Sequence, residues 1–133
     1  MTEPSGIVSV RSKLSVDVLA DRLEAAITAH GLTLFARIDH GEGARQVGMA
    51  LRPTILFILG GAKGGTPLMQ IDQIAGLDLP LKILLWQDEA GIAWVSFVDP
   101  NWIAQFRNLG AEGAATGAKL HAFLAGLAGG IAE

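Results

Sequence analysis

The residues most suggestive of chemistry are Gly60-Gly61-Ala62-Lys63-Gly64-Gly65-Thr66, which follow the apolar run Thr54 to Leu59. A strand, a glycine-rich turn and a helix N-terminus together aim backbone N–H groups and the positive end of a helix dipole at an anion. The spacing is not that of a nucleotide loop. A Walker loop needs Gly-x-x-x-x-Gly-Lys-Ser/Thr, whereas Lys63 here precedes Gly64, Gly65 and Thr66, and no Gly-x-Gly-x-x-Gly begins at Gly60. Thr66-Pro67 reads as the N-cap and first residue of a short helix from Leu68 to about Ala75. The segment is expected to be either a plain connection or a site for an anion or carboxylate held by Lys63, Gly65 and Thr66.

His40 follows Asp39 at the end of an expected strand, and imidazole titrates near neutrality, so it is the leading candidate for acid–base or ligand chemistry. His30, His40 and His121 are far apart in sequence and the chain has no cysteine, so no metal site and no disulfide are read. Ser96, Asp99 and His40 supply the atoms of a hydrolytic triad. Ser96 nevertheless falls mid-strand without a Gly-x-Ser-x-Gly elbow, and Asp99 is better read as the N-cap of a helix begun by Pro100. Trp86 and Trp94 fall on the two arms of an expected hairpin and face each other, forming either part of the core or one wall of a pocket.

These residues need a scaffold, and the hydrophobic pattern describes one. Ile7 to Val10 reads as a first strand. Ser15 caps a helix whose Val16, Leu19, Ala20, Leu23 and Ile27 repeat at helical spacing until Gly31. Leu32 to Asp39 alternates as a strand with one face more buried, and a short helix is read from Glu42 to Val47. The charge-free Thr54 to Leu59 has the pattern of a strand buried on both faces. Leu81 to Trp86 and Ile92 to Val98 flank a turn at Asp88 to Gly91 as a hairpin. A last helix, interrupted by glycine, places Leu120, Phe123, Leu124 and Leu127 on one face. The expected fold is α+β, a mainly antiparallel sheet covered by helices.

Composition narrows the function. The 133 residues are half apolar and only 17% charged, enough for one core in a single domain running 1–133, with a helical tail over 111–133. Lys and Arg number 10 against 13 Asp and Glu, a poor equipment for neutralising nucleic acid or anionic lipid, so neither partner is expected. Met1 to Val10 carries Glu3, Pro4 and Gly6 where a secretion signal would have a basic start, and no apolar run is long enough to span a bilayer, which reads as cytoplasmic. So high an apolar share in so short a chain points to a homodimer.

Read together, Ile38-Asp39-His40, Ala44, Gly48, Leu51, Pro53-Thr54, Gly65-Thr66-Pro67-Leu68-Met69, Asp78-Leu79-Pro80-Leu81-Lys82, Trp94-Val95-Ser96 and Asp99-Pro100 resemble the bacterial and archaeal family known as domain of unknown function 302, from about Ile7 to Leu109. The resemblance implies small dimeric proteins of β-α-β4-α order, similar in topology to the TATA-binding-protein-like fold, with no established activity or cofactor. Relatives tend to carry asparagine and proline where this chain has Gly61 and Ala62. The leading expectation is a small-molecule or anion binding or accessory module, its pocket between the sheet and the Thr66 helix and lined by His40, Lys63, Gly65, Thr66 and Trp94. The alternatives are an enzyme using His40 with Asp39 as general base or metal ligand, and a structural homodimer without a ligand.

Overall fold

A computed structural model describes residues 5–133; the reading of Met1 to Pro4 as part of a non-secretory N-terminus lies outside the described residues. The elements are β1 Ile7–Ser12, α1 Val16–Ala29, β2 Thr33–Asp39, α2 His40–Gln46, β3 Thr54–Gly60, α3 Ala62–Ile71, a 3-10 turn Gln73–Asp78, β4 Leu81–Gln87, β5 Ala93–Val98, α4 Pro100–Phe106 and α5 Gly110–Ala132. The strands form one five-stranded sheet of order β1-β5-β4-β3-β2 in which every neighbouring pair is antiparallel. This is the α+β class, with α2, α3 and the 3-10 turn inserted between the later strands.

Local chemistry explains most element ends. The Ser15 side chain accepts from the Val18 N–H at the start of α1, and Gly31, at φ +67°, turns the chain out of it. Asp39 caps α2 by accepting from the Glu42 N–H, and Asp99 caps α4 by accepting from the Asn101 N–H, with Pro100 in the first helical position. In the β4–β5 hairpin Asp88 accepts from the Ala90 and Ile92 N–H groups and Gly91 takes φ +82°.

The helix at Thr66 begins earlier than its sequence suggests. Gly61, not Thr66, is the N-cap of α3, Thr66 sits within the helix, and Pro67 is internal. Proline there removes the donor for the Lys63 carbonyl, and at the start of the helix the Gly64 and Gly65 N–H groups donate to the Gly61 carbonyl at 3.1 and 3.4 Å. The helix continues to Ile71, and the stretch beyond it is a separate 3-10 turn capped by Asp72. Close packing explains the glycines, because a Cβ on Gly64 would lie 3.3 Å from Leu120 and one on Gly65 3.3 Å from Leu79.

α1 and α5 cover one face of the sheet. Leu19, Leu23 and Ile27 of α1 and Leu124, Leu127 and Ile131 of α5 meet Phe57, Leu59, Ile83, Leu85, Val95 and Phe97 in the main core. α5 reaches α4 through Gly117, where a Cβ would stand 2.9 Å from the Pro100 carbonyl oxygen. Its glycine content therefore permits close approach as well as weakening the isolated helix.

The second face departs from expectation. β3 is buried on one side only: Ile55, Phe57 and Leu59 face the core, while Thr54, Leu56 and Ile58 are half-buried. Leu56 pairs with Leu84 of β4 and Ile38 of β2, and Val98 and Ile38 are exposed, so an apolar strip crosses the face opposite the helical layer. β2 is an edge strand with a register shift between Leu34 and Ala36, and Phe35, the residue at that shift, is 56% exposed.

Candidate functional site

Where β3 ends, the chain forms a half-open cavity of about 620 Å3, a volume ordinary for small-molecule sites. Its floor and walls come from Leu32 just before β2 and Phe35 within it, Leu79 to Leu81 entering β4, Met69 on α3, and Leu120 and Phe123 on α5. The Gly60 to Thr66 segment forms the remaining side. Lys63 is the one charged residue among those lining it, and its side chain is exposed at the rim. An apolar space with a cation at its edge suits a molecule that is mostly hydrocarbon and carries a negative group.

The structure brings together Lys63, Gly65 and Thr66 and leaves out His40 and Trp94. The β2–β3 register explains the separation: Thr33 pairs with Gly60 at the cavity end, whereas Asp39 pairs with Ile55 at the other. A strand of 7 residues places His40 roughly 20 Å from the glycine segment. His40 is therefore not at the edge of this cavity, correcting the expected convergence of the two. It is exposed at the first position of α2, with the Asp39 carboxylate occupied in capping that helix. Among the described residues no three His, Asp or Glu side chains gather as a metal site.

Trp94 lies at the same distant end. It pairs with Trp86, itself opposite Thr54 at the start of β3, and the two indoles stack with centroids 6.2 Å apart and planes 22° from parallel. The hairpin expectation for the two tryptophans holds, but Trp94 is no wall of the cavity. Its N–H donates to the Asp88 carboxylate at 2.8 Å, and that bond, followed by the Ile92 N–H, holds Asp88 below the usual carboxylate range. A carboxylate so depressed stabilises the hairpin above its unfolded-state range, and that contribution is lost as pH falls through the folded-state value. Tryptophan fluorescence should accordingly report loosening of the Trp86–Trp94 stack on acidification, and Asp88→Ala should remove that acid step.

Ser96 is fully engaged in structure. Its hydroxyl accepts from the Trp86 indole N–H at 2.9 Å and shares a hydrogen bond with Ser9 at 2.7 Å. Two further features had no signal in sequence spacing. Leu120 and Phe123 read as core residues of the last helix, and only the fold brings them to the cavity. The Asp99 carboxylate, 4% exposed, lies 2.8 Å from His121 Nδ1 across 22 residues of sequence, with Phe97 edge-on to the imidazole.

The sheet with helices on one face and an apolar cavity at the end of β3 define a small α+β protein of the single-sheet kind. The chain belongs to the family described as "Domain of unknown function DUF302", whose profile matches residues 8–127, reaching well into α5. A crystal structure titled as an uncharacterized conserved protein DUF302 from Bacillus stearothermophilus superposes with a TM-score of 0.85 at 16% identity, covering 96% of this chain and 98% of that one. That likeness shows the fold. Over 106 residues, 80% of the chain, the sequence is 43% identical to proteins named fluoride-specific ion channel FluC 1 from Brucella suis and Brucella abortus, spanning 42% and 39% of their lengths. The chain thus matches about two fifths of those longer relatives. Among the described residues no helix is long and apolar enough to cross a membrane.

Proposed function

We propose that this protein is a small-molecule binding module, whose ligand is an apolar molecule carrying an anionic group and occupies the cavity between α3, α5 and the end of the sheet. The observation that carries the reading is the cavity itself: about 620 Å3 of space within mostly apolar walls, with Lys63 as its one charged lining residue. The segment matching only part of the longer Brucella chains supports an accessory role beside another domain; their names give the cavity no ligand. Calorimetric titration with decanoate and with decanol tests the assignment. Both should bind the wild type. Lys63→Ala should weaken decanoate about two- to fivefold, the worth of an exposed ion pair, and leave decanol unchanged. Equal effects on both ligands, or no saturable binding of either, would reject it.

The partner in this reading is a second copy of the chain. β3 has the uncharged composition of a strand covered on both sides, yet α1 and α5 cover one, leaving Ile38, Leu56 and Leu84 aligned across the other. Light scattering at micromolar concentration should return about twice the chain mass of 13.9 kDa, and Leu56→Lys should return the monomer mass. A monomeric wild type would remove the dimer from the proposal. Action in the cytoplasm belongs to the same proposal and is tested by cell fractionation.

A further inference from the structure

Two hollows in this structure share a wall. Besides the cavity at α3, a groove of about 610 Å3 runs between α1 and α5, lined in part by Ala26, His30, Gly126 and Leu127. Phe123 lines both. On α5, Leu120, one turn earlier, lines the cavity alone, and Leu127, one turn later, lines the groove alone. The end of α1 repeats the order, His30 lining the groove and Gly31 and Leu32 the cavity. The two spaces therefore succeed each other along the α1–α5 seam with the Phe123 ring between them. That ring is steadied by His30, edge-on with centroids 5.6 Å apart and planes at 81°.

Resting on the cavity reading above, we propose that the ligand is a linear carboxylate with a hydrocarbon tail, its head toward Lys63, and that Phe123 is the specificity-determining residue that limits tail length. Each methylene added within the cavity is buried among Leu79, Leu81, Leu120 and their neighbours. A tail longer than the cavity meets the ring. With the ring removed, the small residues lining the groove, Ala122 and Gly126, leave it open to the same tail.

The test is a titration of the full chain with straight-chain carboxylates from hexanoate to hexadecanoate, on wild type, Phe123→Ala and Phe123→Leu, with melting curves confirming that each variant is folded. Leucine keeps an apolar contact with His30 if the alanine variant fails to fold. In the wild type, affinity should rise about fourfold per added methylene, the factor that methylene burial supplies, and then stop rising at a definite length. Both variants should carry the rise to longer tails. A break at the same length in all three proteins would overturn the role of Phe123 while leaving the cavity as the binding site. Absence of binding by every member of the series would overturn both.

Discussion

Phe57→Ala should cost about 3–5 kcal/mol of folding stability, the range for removing a fully buried aromatic ring from a close-packed core. Phe57 is 0% exposed on β3, where it pairs with Ile83 on one side and Arg37 on the other. Its ring also carries the Arg37 guanidinium 5.3 Å from its centre. The cavity left behind could not collapse easily, because α1 and α5 press on the same layer. Against a total stability of about 5–15 kcal/mol, such a loss leaves a small margin. Urea denaturation, followed by the tryptophans of the β4–β5 hairpin, measures it. A loss below about 1 kcal/mol, typical of an exposed position, would contradict the placement of this face in the core.

Asp99→Ala should be the next most damaging change, at about 2–4 kcal/mol. One part is the cap of α4, worth about 1 kcal/mol. The remainder is the 2.8 Å bond to His121 Nδ1, made at a buried carboxylate, which joins the end of β5 to α5. Asp99→Asn keeps an oxygen in the same place for both the Asn101 N–H and the imidazole, so it should cost less than half as much. Equal losses for the two variants would show that the charge, rather than the hydrogen-bond geometry, holds α4 and α5 together.

How much of this was legible in the sequence depended on how local the determining interactions are. α1 was legible because its apolar period, its Ser15 cap and its Gly31 exit all lie within the segment. The β4–β5 hairpin was legible for the same reason, its turn being closed by Asp88 and Gly91. α3 was misread because Thr66-Pro67 carries the local signature of a helix start, while the true first turn is built from glycines. That turn forms where Gly64 and Gly65 can approach Leu120 and Leu79, contacts no local pattern encodes. β3 reads as covered on both faces because its uncharged side chains carry no alternation, whereas only the docking of α1 and α5 decides which face is buried. The site divided along the same line. Lys63, Gly65 and Thr66 are neighbours in sequence and meet at the cavity, whereas His40 and Trp94 were joined to them by type alone, and the register of β2 on β3 sends both to the opposite end. Leu120 and Phe123 reach the site only through the docking of α5.

The most direct test of the account is an amide NMR titration of the wild-type chain with decanoate. Saturable shifts should concentrate at Gly31, Leu32, Gly60 to Thr66, Leu120 and Phe123, the residues around the cavity, and leave His40 and Trp94 in place. Shifts that fail to saturate, or that centre on His40, Trp86 and Trp94 at the far end of the sheet, would contradict it.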